Sequence, residues 1–154
     1  MDFINAKELL ELCDKKNMSI SDVMKKRECD DSTSSKEEII SKMKRVLEIM
    51  RDASTLPINT PIKSMGGLIG GEAKKLSEYQ KQEKNIGGQV LSKAVMYAMA
   101  VLECNASMGL IVAAPTAGSS GVVPGLLLAM QDVYSFSDEK IIDALFTAGA
   151  IGYT

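Results

Sequence analysis

Apolar residues recur at helical spacing along most of the chain, and Ser, Gly or Pro mark the breaks between runs. Leu9, Leu10, Leu12 and Cys13 stand among charges and predict a short helix over Asn5–Lys16. Ser19 and Ser21 start a second helix that ends near Glu28, followed by a polar loop from Cys29 to Ser35. Ser34 and Ser35 are each followed, three residues on, by Glu37 and Glu38, a doubled capping-box signal. Ile39, Ile40, Met43, Val46, Leu47 and Met50 then keep one apolar face. From Ser54 the period lapses, and Pro57, Pro61, Gly66, Gly67, Gly70 and Gly71 predict a long loop. Glu72–Lys84 reads as a charged helix with Ala73, Leu76 and Tyr79 on one side, broken at Gly87 and Gly88. Gln89–Cys104 is apolar nearly all round, as a central helix of a bundle would be. Gly121–Val133 is a further helix, and Ser137 with Asp138 and Glu139 opens the last, with Ile141, Ile142, Leu145 and Phe146 inward.

The predicted fold is all-α, a multi-helix bundle with a Gly/Ser/Pro-rich motif loop between central helices. Leu110–Ala113 is the competing strand, but one short β-branched run weighs little against the helical patterns. Residues 1–53 read as an amphipathic helical region and 54–154 as a helical catalytic-type domain, together expected to form one structural domain. The apolar face still runs at the final AGAIGYT, so the chain is expected to continue beyond Thr154.

The motif loop is the most informative stretch. Asn105 to Gly125 reads NASMGLIVAAPTAGSSGVVPG, and from Cys104 to Ser137 the single charge is Asp132. In a chain that is 25% charged, this gap marks an interior or a pocket wall. Gly109, Gly118, Gly121 and Gly125 permit close backbone approach to a ligand. Pro115 forces Ala114 out of the α region. Ser119 and Ser120 precede an apolar run and can cap its helix, with Pro124 near the first turn. A tight loop of free N–H groups feeding a helix suits a small anion such as a carboxylate. Asn105, Ser107 and Thr116, neutral polar residues in apolar surroundings, are candidate substrate contacts; helix C-capping and turn hydrogen bonds are their structural alternatives. The glycine loop before Glu72 is either a substrate-side loop, with Lys63 and Ser64 facing a carboxylate, or a linker of turn glycines. It is neither a P-loop nor GxGxxG.

Composition narrows the chemistry. There is no His, which excludes Ser–His and Cys–His pairs and His-ligated metals. Proton transfer then falls to Lys, Glu, Asp, Tyr, Cys or a cofactor, with Lys63, Lys74 and Lys75 as unsupported candidates. The formal net charge of -2 and the 5% aromatic content give nothing to steer the chain to nucleic acid or an anionic membrane. No segment reaches the roughly 20 apolar residues of a membrane span, and Met1–Leu10 lacks the pattern of a signal peptide. Cys13, Cys29 and Cys104 fit neither a zinc ribbon nor a disulfide framework, and read as free thiols in a cytoplasmic protein.

The segment NASMGLIVAAPTAGSSGVVPG resembles the central motif of the iron–sulfur-dependent L-serine dehydratases (L-serine ammonia-lyases), in their alpha subunit or alpha domain. GGLIGGEAKKLSEY, from Gly66 to Tyr79, is similar to that family's upstream GGDA-type segment. The resemblance covers most of the chain after about Arg51. It implies a lyase that converts L-serine to pyruvate and ammonia, a [4Fe-4S] cluster in the full-length protein, a beta subunit, and room for a homo-oligomer. In the family a cysteine ligand usually stands at the position of Ser120, and further ligands lie in a later Cys-rich segment. The chain as given is therefore expected to lack the cluster and to be inactive alone. Ser120 could ligate weakly, leave the cluster to another ligand, mark a chain without a stable cluster, or merely cap the next helix. Two other readings stand beside this one: a non-catalytic helical interaction domain that keeps the scaffold, and a pyridoxal-phosphate enzyme using GGLIGG for the phosphate.

Overall fold

The computed structural model describes residues 1–82 and 87–154. Among the described residues there are seven helices and no strand: α1 (Ala6–Lys16), α2 (Ile20–Ser32), α3 (Lys36–Asn59), α4 (Glu72–Gln80), α5 (Gly88–Ala106), α6 (Val122–Tyr134) and α7 (Asp138–Tyr153). The all-α expectation holds, and Leu110–Ala113 is irregular backbone. Two compact units are present: residues 1–45 with 137–154, and residues 46–136.

The first unit packs α2 against α1 and α7. Its helix starts follow the capping rules. The Asn5, Ser19 and Ser137 side chains accept from Glu8 N, Asp22 N and Lys140 N. Ser35 Oγ accepts from Glu38 N at 3.2 Å while the Glu38 carboxylate accepts from Ser35 N at 2.9 Å, so one of the two predicted capping boxes is closed reciprocally. α2 runs four residues past its predicted end at Glu28. The reason is local: the Ser32 hydroxyl donates back to the Glu28 carbonyl, and the left-handed turn falls at Thr33. Buried Arg27 stacks on Tyr153 at 3.5 Å and on Phe3 at 4.7 Å, and Asp2 pairs with it at 3.0 Å. Buried Lys25 bonds Asp143 at 2.6 Å, tying α2 to α7.

The second unit is built on α5, against which α4 and α6 pack. α3 was expected to stop before Pro57 and instead continues through it to Asn59. Pro57 sits in the last turn, so the one i−4 bond it forgoes is near the helix end with little helix beyond it to disrupt, and it is buried. Ser54 and Thr55 donate to the Met50 and Arg51 carbonyls one turn back, which keeps the backbone helical. The predicted end of α4 at Lys84 lies outside the described residues.

α6 lies unusually close to α5. A Cβ on Gly121 would stand 2.6 Å from the Ala98 carbonyl oxygen, and one on Gly125 would stand 2.7 Å from that of Ala94. The four-residue spacing of these glycines matches that of Ala94 and Ala98, so two small-residue ridges face each other. Glycines read from sequence as room for a ligand are here room for a helix. Farther along the same pair, Asp132 of α6 accepts from Lys93 at 2.7 Å and from the Tyr97 hydroxyl at 2.5 Å on α5. Partial burial pushes the Asp132 carboxyl up, but the bonds from Lys93 and Tyr97 outweigh it and leave it below its ordinary value. Burial and the bond to Asp132 push the Tyr97 phenol well up.

Gly125→Ala is expected to force α5 and α6 apart and lower stability by about 1–3 kcal/mol. Gly149→Ala, in α7 with open space around the new methyl, should raise stability by about 1 kcal/mol. Thermal melts of both variants check the pair. The Asp132 contribution is present above its unfolded-state value near 3.8 and is lost as pH falls through the lowered folded-state value. Melting temperature on acidification should therefore drop more steeply below pH ~4 in the wild type than in Asp132→Asn.

Candidate functional site

The motif begins where α5 ends. The N–H groups of Ser107, Met108 and Gly109 fold back on the carbonyls of Glu103, Asn105 and Cys104 at 3.1, 3.0 and 2.8 Å. This pattern satisfies the orphan carbonyls of the last turn. A Cβ on Gly109 would meet Cys104 Sγ at 2.6 Å, so the chain closes directly over the thiol. Cys104 is buried, its Sγ is 3.6 Å from the Leu110 carbonyl, and burial pushes its pKa up. That is the reverse of what a reactive thiolate needs, and it agrees with a core role for this residue.

Beyond Leu110 the loop is held by its own hydroxyls. Ala114–Pro115 is a cis peptide. Ser119 Oγ accepts from Thr116 N at 3.3 Å and donates to the Ala114 carbonyl at 3.1 Å, while Ser119 N donates to Thr116 Oγ1 at 3.3 Å. Thr116 and Ser119 thus tie a knot around Pro115 and leave the Thr116 side exposed. Asn105 Nδ2, from α5, donates to the Ala117 carbonyl at 3.1 Å, and Ser120 Oγ donates to the same oxygen at 2.7 Å. The expectation that Ser119 or Ser120 caps α6 is overturned. The N-cap is Gly121, with no side-chain bond, because both hydroxyls turn back into the loop. Ser120 is 2% exposed and sits at an apolar groove of about 270 Å³ formed with Val95, Ala98, Met99, Leu102 and Val122.

The glycine loop reaches the motif from another direction. Ser64 closes it upon itself: Ser64 N donates to the Ile69 carbonyl at 2.7 Å, and Ser64 Oγ accepts from Ile69 N at 3.1 Å. Glu72 accepts from Gly70 N at 2.7 Å, and Glu103 of α5 accepts from Gly71 N at 3.0 Å and Ala73 N at 2.7 Å. Ile62 at the start of this loop and Ile111 of the motif pack on one buried cluster of Ala53, Val101 and Cys104.

Of the sequence candidates, Asn105, Thr116 and Ser120 share the motif loop. Ser107 spends its hydroxyl on the Glu103 and Cys104 carbonyls, a helix-end role. Ser64 lies in the neighbouring loop, connected to the motif through Glu103. Glu103 was missed. Its signal was visible: with Lys93 it is one of the two charges of α5, and it alone is fully buried. Among the described residues no group of three or more Cys, Asp or Glu side chains could hold a metal ion. Among the described residues no helix is long and apolar enough to cross a membrane.

Asn105→Ala would leave the Ala117 carbonyl with one side-chain donor fewer. A stability loss of about 1 kcal/mol is expected, together with faster proteolytic cleavage within residues 110–119 under native conditions.

The sequence family described as serine dehydratase alpha chain matches residues 15–154. The chain is 42% identical over 151 residues to the probable L-serine dehydratase, alpha chain, of Bacillus subtilis (strain 168), covering 98% of this chain and 50% of that one. It is 36% identical over 147 residues to the L-serine dehydratase, alpha chain, of Peptoniphilus asaccharolyticus, covering 96% and 50%. Against L-serine dehydratase TdcG of Escherichia coli (strain K12) the figures are 35% over 156 residues, covering 98% and 34%. The chain therefore spans about half the length of the alpha chains it matches. No solved structure matches. The chain belongs to the serine dehydratase alpha chain family.

Proposed function

We propose that this family member is the motif-bearing half of an L-serine dehydratase alpha chain, taking L-serine to pyruvate and ammonia. The observation that carries the reading is the family match over residues 15–154, which contains both loops described above. In the reaction the Cα proton and the Cβ hydroxyl leave as water to give an enamine, which takes a proton at Cβ to become an imine, and water hydrolyses that imine to pyruvate and ammonia. The substrate's carboxylate and hydroxyl suit neutral hydrogen-bonding groups, and Asn105, Thr116 and Ser64 are the proposed contacts.

A [4Fe-4S] cluster, which the sequence resemblance implies, does not fit the donors of this chain. Soft thiolates hold such clusters. Cys104 is buried under Gly109, and Ser120 Oγ is engaged by the Ala117 carbonyl. The cluster ligands are proposed to come from polypeptide corresponding to the second half of the relatives. Ser120 is then a packing and loop-closing residue and not a ligand. The exposed apolar side chains Met65, Leu68, Met108 and Leu110, in the two loops, support a surface that further polypeptide covers. A beta chain, assembly into an oligomer and a cytoplasmic setting belong to the same proposal.

Pyruvate release from L-serine tests it, with the alpha chain completed by its second half, the beta partner added, and iron and sulfide supplied anaerobically. The expected result is turnover by the completed protein, none by the 154-residue chain alone, and equal iron per alpha chain in wild type and Ser120→Cys. A completed, iron-loaded protein that leaves L-serine untouched would overturn the reading and favour a non-catalytic scaffold.

A further inference from the structure

We propose that Glu103 is a positioning residue for substrate binding: from α5 its buried carboxylate caps α4 and fixes the 61–71 loop, with Ser64, against the motif. The substrate in this statement rests on the dehydratase reading; the tether rests on geometry alone.

α4 has no capping side chain at its N-cap. Its N-cap is Gly71 at φ 93, a conformation that side chains rarely adopt, and no N-cap side chain bonds its first turn. The free N–H groups of that turn still need acceptors. Glu103 supplies them across the fold, one oxygen to Gly71 N and the other to Ala73 N. It is 1% exposed, and a carboxylate so buried is retained only where donors meet it. The positive end of the α4 dipole adds to the match.

The same residue holds the motif. The Glu103 carbonyl receives both the N–H and the hydroxyl of Ser107, at the turn that opens the motif loop. The glycine loop is thus anchored at its end by the Glu103 carboxylate and near its start by Ile62, which packs with Ile111 on the cluster containing Cys104. Between these anchors the tip is closed only on itself, by Ser64, and is uncovered: Met65 and Leu68 are 85% and 91% exposed. Freeing the anchored end would let Ser64 drift relative to Asn105 and Thr116. Binding of a small amino acid by neutral donors is sensitive to displacements of about 1 Å.

Amide hydrogen exchange on the wild-type chain comes first. Gly71 and Ala73 should exchange far more slowly than Met65 and Leu68. Glu103→Gln keeps the shape but turns an N–H donor towards a backbone N–H. It should speed exchange at Gly71 and Ala73 about tenfold, with Ala100 and Val101 in α5 unchanged. In the assembled enzyme the same variant should raise KM for L-serine about tenfold with kcat within about twofold. Glu103→Asp, which keeps the charge on a shorter arm, should fall between. Wild-type exchange at Gly71 and Ala73 as fast as at the loop tip overturns the tether, whether or not any variant folds. An unchanged KM in Glu103→Gln, in an enzyme that does consume L-serine, overturns the positioning role. An assembled wild type that never forms pyruvate defeats the dehydratase reading instead, and the exchange data then decide the tether by themselves.

Discussion

The second unit depends on how closely α6 can approach α5. Gly121 and Gly125 place hydrogens where any Cβ would strike the Ala98 or Ala94 carbonyl. That contact fixes where the motif loop must re-enter the fold after leaving the end of α5 at Ala106. The loop's internal bonds follow from the confinement. Asn105 and Ser120 converge on one carbonyl, that of Ala117, because the two helix ends that carry them are held at short range. The Lys93–Asp132–Tyr97 group secures the same helix pair farther along. Packing thus comes first, and the site is what packing leaves between the helices.

Glu103 joins this arrangement to the second loop. Neither of the two sequence segments that carry the family resemblance contains it, yet it bonds one through its carboxylate and the other through its carbonyl. A buried acid among apolar residues is costly unless each oxygen finds a donor. Here the donors are the N–H groups that Gly71, lacking a side chain, leaves open at the start of α4. The cost of burying the acid and the need for a cap offset each other.

The chain spans about half the length of the alpha chains it matches, and the groove beside Ser120 and the apolar loop tips are open in it. Side chains such as Leu68 and Met108 are large, apolar and uncovered, and they sit in loops that are otherwise fixed by hydrogen bonds. A surface held in place but left open is suited to receive further polypeptide.

Sequence alone determined the helices that local chemistry specifies. The starts at Asn5, Ser19, Ser35 and Ser137 were legible because a side-chain oxygen caps its own helix within three residues. The uncharged motif stood out in the sequence, but the interior expected from it was not found: Met108, Leu110 and residues 115–118 are exposed, and of the loop only Ser120 is buried. Where partners lie far apart in sequence, the reading stopped short. The passage of α3 through Pro57, the backward turn of the Ser119 and Ser120 hydroxyls, the packing use of Gly121 and Gly125, and the tether at Glu103 all came from the tertiary structure. Each depends on which backbone group stands opposite a residue in space. A residue type states what bonds a side chain can make, and only the packed helices decide which partner it meets.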